Sequence, residues 1–166
     1  MSPSSLTLAQ FNTAPAADLE DPLRACAPID RWTGAILAGR PYADVEQLRG
    51  TASALAGEWT AAEVRGALAH HPRIGERAQG LAAVEAAHSR AEQAGVEDPG
   101  AWVAANARYE GRFGTVFLIR AAGRSQAEML AELERRLALD EEQERSERAE
   151  QLRQIALLRL EALVPA

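Results

Sequence analysis

His71 stands directly before Pro72, and that step does two things at once. Proline disfavours α geometry in the residue before it, so a helix running up to His71 must end there. The imidazole then lies just past the helical ladder, able to give or take a proton near neutral pH. Position alone leaves two readings open: an acid–base group turned into a cavity, or a histidine that simply ends a helix at the surface. Ser89, Glu92 and Gln93 form a second group. Their i, i+3, i+4 spacing places a hydroxyl, a carboxylate and an amide on one face of one helix. Such a face suits a polar heterocycle, and it equally suits plain solvent, since Glu85 and Arg90 lie close by.

Arg159 is the third candidate. On a helical wheel Leu152, Ile155, Ala156, Leu160 and Leu163 form one apolar stripe, and Arg159 falls in its middle. Arg153, Gln154 and Glu161 fall on the other side. A guanidinium facing a core is costly unless an anion partners it. That partner is either a structural carboxylate or the carboxylate of a substrate held by paired hydrogen bonds.

Other chemistries find less to work with. His70, His71, His88 and Glu92 are the plausible metal ligands, and His88 with Glu92 has i, i+4 spacing. The helix carries no second histidine and the chain no Cys/His cluster of zinc spacing, so no metal site is expected. There is no glycine-rich phosphate loop and no nucleophile elbow. Cys26, the single cysteine, lies in ordinary helical sequence and reads as packed rather than nucleophilic.

The elements that must position these residues read as helices. A short helix is expected from Thr7 to Asn12, a second after Pro15, and a third from Asp30 to Leu37, closed by Gly39 and Pro41. Asp44 caps a fourth that carries Val45, Leu48, Ala52 and Leu55 at helical spacing. Thr60 and Glu63 form a capping box opening the helix that stops at His70–His71. A helix of about fourteen residues follows Gly80 and ends at Gly95, before a turn-like Glu97-Asp98-Pro99-Gly100. The next covers Trp102 to Glu110. The run Thr115 to Ile119 has no strand to pair with and is read as helical or irregular. Ser125 starts a helix through Leu139, and a last long one runs from Asp140 to Leu163. The expected fold is a single-domain, all-α bundle of about eight helices spanning residues 1–166.

Composition agrees. The 166 residues suffice for one domain with a real hydrophobic core, and aromatic residues make up only 5%, a bias against sheet. With 18 basic and 24 acidic side chains the net charge is −6. Such a chain has no general attraction for phosphate backbones or anionic membranes, so neither nucleic acid nor membrane is an expected partner. One cysteine permits no internal disulfide. The start, Met1 to Leu8, lacks a basic segment followed by a long apolar run, and Val164-Pro165-Ala166 is no peroxisomal address. A cytoplasmic protein is the expectation.

Five segments in order carry a family resemblance: His71-Pro72-Arg73-Ile74-Gly75-Glu76-Arg77, Ser89 to Gly95, Asn106 to Gly114, Phe117 to Ser125, and Ile155 to Leu160. With Trp32 and the Arg40-Pro41-Tyr42 step, they resemble the 2-oxo-4-hydroxy-4-carboxy-5-ureidoimidazoline (OHCU) decarboxylase family from about Leu8 to Leu163. The chain departs from many relatives at Thr115-Val116, where they carry Phe-Pro, and at Leu139, where they carry Asn.

The resemblance implies a cofactor-independent carboxy-lyase of uric acid degradation that converts OHCU to (S)-allantoin, on an all-helical fold and as a homodimer. It implies that His71 is catalytic, together with Glu92 and Arg159, and that Pro72 lines the pocket. Ser89 and Gln93 would contact the ring and ureido group alongside Glu92. Main-chain groups of Phe117, Leu118, Ile119, Arg120 and Ala121 would add hydrogen bonds. No cofactor is implied, because the substrate's ring C=N can take the electrons that CO2 leaves behind. Two alternatives compete: a helical interaction module that has lost activity, and a ureide hydrolase. Hydrolysis usually wants a metal-bound water or an activated nucleophile, and neither is evident here.

Overall fold

The computed structural model describes residues 5–76, 88 and 98–166. Among them are eight α-helices and no strand: α1 Leu8–Thr13, α2 Ala16–Cys26, α3 Asp30–Ala38, α4 Val45–Ala56, α5 Ala61–Leu68, α6 Pro99–Phe113, α7 Gln126–Leu137 and α8 Glu141–Leu163. The all-α expectation therefore holds. The helix expected between Gly80 and Gly95 lies outside the described residues, apart from His88, which is helical and half-buried.

The chain forms two compact units, Met1–Ala67 with Arg153–Ala166, and Leu68–Leu152. Helix α8 contributes residues to both.

In the first unit α3 packs on α2 and α4. Trp32 is 1% exposed, and its indole N–H donates to the Ala52 carbonyl at 3.0 Å. A buried indole N–H usually finds such a partner, and here the bond also fixes α3 against α4. The Arg40-Pro41-Tyr42 step holds the first turns in place. Arg40 Nη1 donates to the carbonyls of Phe11 and Ala14, both at 2.8 Å, groups left open where α1 ends. Asn12 and the Tyr42 main chain pair reciprocally at 2.8 and 2.9 Å.

Capping follows the sequence closely. Thr7 and Gln10 box the start of α1, Asp44 accepts from Gln47 N–H at 2.7 Å, and Ser125 and Glu128 box α7. The predicted Thr60–Glu63 box forms at 2.8 and 3.2 Å. Glu63 also accepts two bonds from Arg31, at 2.8 and 3.0 Å. Those bonds, with the Thr60 N–H, lower the Glu63 pKa from 4.5 to about 2. A carboxyl depressed in the folded state stabilises above its unfolded pKa and loses that contribution as pH falls through the folded one. The wild-type melting temperature should therefore fall further between pH 4.5 and 2 than that of Glu63→Gln. Arg31 is half-exposed, so solvent screening keeps the difference small; matched melts across that window would measure it.

The second unit is built on a buried cluster of Ile74, Trp102, Ala105, Tyr109, Phe117, Ile119, Ala121, Met129 and Leu133. Two boundaries differ from the sequence reading. Helix α6 starts at Pro99 rather than Trp102, with Asp98 as N-cap accepting from Gly100 N–H at 2.9 Å. Proline reads as a breaker inside a helix, but at the first position its missing N–H costs nothing. The same helix continues to Phe113 and ends at Gly114, which adopts φ 68°, ψ 17° and donates to the Glu110 carbonyl at 2.8 Å. That left-handed cap suits glycine. Residues 114–120 are neither helix nor strand, the irregular option of the two expected.

Candidate active site

Helix α5 ends before the His-Pro step, two residues earlier than the predicted stop at His70–His71. The helix stops at Leu68, and His71 N–H donates back to the Leu68 carbonyl at 3.1 Å, closing the last turn. His71 and Pro72 are both half-buried, so the ring belongs neither to open solvent nor to the unit's apolar cluster. The loop beyond is tied to α6 in three ways. Arg73 grips Glu110 with Nε and Nη2, the latter at 3.0 Å, and the Glu110 carboxylate raises the Arg73 pKa further. Asn106 Nδ2 donates to the Ile74 carbonyl at 3.1 Å. Gly75, at φ 85°, lets the chain pass so close to α6 that a Cβ there would meet Trp102 Cβ at 3.3 Å. Arg73 is therefore structural: it positions the segment that carries His71.

A cavity of roughly 200 Å³ opens beside this loop, lined by Arg73, Glu76, Trp102, Asn106 and Glu110 among others. Neither His71 nor any residue of 117–121 lines it. Its charged groups are already spent on one another, Arg73 on Glu110 and Glu76.

The Phe117–Ala121 stretch is the second predicted element, and the structure shows how it is held. Phe117, Leu118, Ile119 and Ala121 are all buried, at 1 to 6% exposure, and Arg120 is half-buried. The Leu118 carbonyl accepts from Arg136 Nη1 at 2.7 Å. The Arg120 N–H donates to Gln151 Oε1 at 2.8 Å. The Phe117 ring lies against Tyr109 edge-on, at 5.1 Å between centroids, and under the Arg136 guanidinium at 4.6 Å.

Behind it sits a buried polar network that the sequence reading missed. Arg136 and Glu144 are both 0% exposed. The guanidinium meets the carboxylate through Nε, at 2.9 and 3.2 Å, and through Nη2. Tyr109 Oη donates to Glu144 Oε1 and accepts from Arg148 Nε and Nη2 at 3.3 and 3.2 Å. Burial, aided by the bond to Glu144, pushes the Tyr109 phenol up to about 12, which keeps it a donor. Burial works to lower the Arg136 pKa, but the hydrogen bonds and charge of Glu144, joined by Tyr109, together outweigh that and leave it raised. A signal for this network was present in the sequence. Met129, Leu133 and Arg136 share one face of α7, so the wheel argument that singled out Arg159 applies equally to Arg136.

Arg159 is buried as expected, at 4% exposure, within the stripe of Leu152, Ile155, Ala156, Leu160 and Leu163, all at 6% or less. Its Nη1 donates to the Ala25 carbonyl at 3.0 Å, in the last turn of α2, where the helix dipole is negative. Ser89, Glu92 and Gln93 lie outside the described residues. The structure thus places the Phe117–Ala121 stretch together with its supporting network, and His71 with Pro72 at the end of α5. Among the described residues no three His, Cys, Asp or Glu side chains gather as metal ligands would.

The comparisons with known proteins are consistent with one another. The OHCU decarboxylase family matches residues 12–161. A crystal structure of OHCU decarboxylase in the presence of (S)-allantoin superposes with a TM-score of 0.73 at 21% identity, covering 89% of this chain and 99% of that one. A crystal structure of (S)-allantoin synthase superposes with a TM-score of 0.68 at 19% identity, covering 96% of this chain. The chain spans 54% of that longer protein. At these identities the likeness is one of fold. No curated protein sequence matches the chain.

Proposed function

The chain belongs to the OHCU decarboxylase family, and from that membership we propose how its residues release CO2 from OHCU and leave (S)-allantoin. The observation that carries the reading is the family match, which runs through both compact units from residue 12 to 161. On this reading the chain works as one catalytic domain, a lyase of uric acid degradation.

The reaction starts with the bond between ring C4 and the carboxylate. As it breaks, its electron pair forms a C4–C5 double bond, and the pair of the ring C=N moves onto nitrogen, which takes a proton. The C4 hydroxyl then gives up its proton and becomes a carbonyl, while C5 accepts one on a single face. One proton is consumed for each CO2 released. The substrate is its own electron sink, so the protein must orient the breaking bond, stabilise the displaced charge and choose the face of protonation.

His71 is assigned to the C4 hydroxyl, as hydrogen-bond partner and acceptor of its proton. Its place just past α5, on a loop fixed to α6 by Arg73 and Asn106, supports that role. Glu92 is assigned to the ring-nitrogen side and to proton delivery, with Ser89 and Gln93 on the ring and ureido group and Pro72 beside His71. Arg159 is assigned to the substrate's anionic side, holding the carboxylate out of the ring plane. Its burial within an apolar stripe supports this, because a desolvated guanidinium binds an anion more strongly than an exposed one. Main-chain groups of residues 117–121 complete the set.

We further propose a cytoplasmic homodimer acting on a small molecule, without cofactor, nucleic acid or membrane. The net charge of −6 supports the absence of polyanion partners. No helix among the described residues is long and apolar enough to cross a membrane.

The test is to generate OHCU in situ and follow circular dichroism as allantoin appears, with and without chelator. Prompt growth of the (S)-allantoin signal, unchanged by chelator, is the expected result. Only the slow racemic product of spontaneous decay would remove the decarboxylase reading, and loss of activity on chelation would remove its cofactor independence.

A further inference from the structure

Two side chains of the second unit do more than fill its core. Arg136 holds the carbonyl of Leu118 at 2.7 Å, and Gln151 holds the N–H of Arg120 at 2.8 Å. These are the far ends of the two peptide groups that flank the Ile119 Cα. In a planar trans peptide the C=O and N–H point in opposite directions, and the one cis bond described is Arg40–Pro41. Fixing the Leu118 carbonyl toward Arg136 therefore turns the Ile119 N–H away from Arg136. Fixing the Arg120 N–H toward Gln151 likewise turns the Ile119 carbonyl away from Gln151. Residue 119 is left with a donor and an acceptor on one residue, directed by its neighbours' bonds and paired with no group among the described residues. Buried main-chain groups of this kind are rarely left unpaired in a finished complex.

We propose that Arg136 and Gln151 are positioning residues for the reaction: they aim the Ile119 N–H and C=O at the substrate's amide-like edge. The inference rests on the decarboxylase reading given above. An N–H beside a C=O is complementary to any ligand edge with the same pair in reverse. OHCU offers such edges in its ureido group and its ring lactam. Neither Arg136 nor Gln151 touches the substrate. Arg136 can act this way because Glu144 engages its Nε and Nη2, which leaves Nη1 for the Leu118 carbonyl. Gln151 is 6% exposed, so its amide is fixed in a similarly enclosed setting.

Gln151 is the better residue to test, because its loss strands no charge. Gln151→Met keeps the length and removes the acceptor, while Gln151→Glu keeps an acceptor oxygen. We expect Gln151→Met to fold, to exchange its Arg120 amide hydrogen faster than wild type, and to raise KM about tenfold, the worth of one well-placed hydrogen bond. Its kcat should stay within about threefold, because a contact made equally in ground and transition states moves KM alone. Gln151→Glu should return KM most of the way to the wild-type value. A folded Gln151→Met with wild-type KM would overturn the proposal. So would a rise in KM that Gln151→Glu does not repair, since that pattern marks general loosening. A wild-type protein inactive on OHCU would remove the functional reading and this inference together, whereas the two variant outcomes remove only the inference.

Discussion

Replacing His71 by Ala should lower the rate of OHCU decarboxylation by about 10²–10⁴-fold, the usual contribution of a positioned acid–base group. The effect should fall on kcat and kcat/KM alike, since handling the C4 hydroxyl proton matters most as the carbonyl forms. The fold should survive. His71 is half-buried and outside the second unit's apolar cluster. The bond that closes α5 uses its backbone N–H, which alanine keeps. Thermal melts run beside the kinetics would show it, with a melting temperature close to wild type. Near-normal turnover in a folded His71→Ala protein would defeat the proposed scheme. It would do so without touching family membership, which does not depend on this one side chain.

The second large effect is on stability. Arg136→Leu strands the Glu144 carboxylate, which is 0% exposed and would keep only Tyr109 and the more distant Arg148 as partners. Breaking a buried pair from one side typically costs about 3–5 kcal/mol. For a chain of this length that corresponds to a drop in melting temperature of roughly 6–20 °C. The converse matters as much. Replacing both partners, Arg136→Leu with Glu144→Leu, removes the stranded charge and should recover a good part of the loss. The double variant should not recover the Leu118 carbonyl's donor, so catalysis should stay impaired where stability returns. A melt in which the single and double variants behave alike would show that the stranded Glu144 carboxylate costs nothing.

How much of this was legible in the sequence depends on the kind of signal. Helix ends were read well because each rests on a few adjacent residues. Asp44, the Thr60–Glu63 box, Ser125 and the His71-Pro72 stop all act within one turn. The start of α6 was misplaced by three residues because Pro99 can be read as a breaker or as a first helical residue. Only the side chain before it, Asp98 capping Gly100, decides. The burial of Arg159 followed from counting positions around α8. The burial of Arg136, Glu144, Arg148 and Gln151 went unread for a simple reason: on an apolar stripe, charged residues look like the stripe's edge. Glu144, Arg148, Gln151, Ile155 and Arg159 in fact follow one another at spacings of three and four along α8. A long helix dense in charge thus hides, over its N-terminal half, a buried polar seam that no apolar stripe marks. Arg73 illustrates the other gap. Its pairing with Glu110 joins residues 37 apart, and nothing local announces it.

The pinned segment bears on the departure at Thr115-Val116. Where a proline precedes such a stretch, its ring stiffens the chain from within and the conformation is set by near neighbours. In this protein two residues contributed by α7 and α8, Arg136 and Gln151, reach back across 18 and 31 positions to hold it. Instruction for the loop is therefore stored elsewhere in the chain. Neither Thr115 nor Val116 takes part in these bonds, and the burden of keeping the loop's shape passes to helices whose own sequences look unrelated to it.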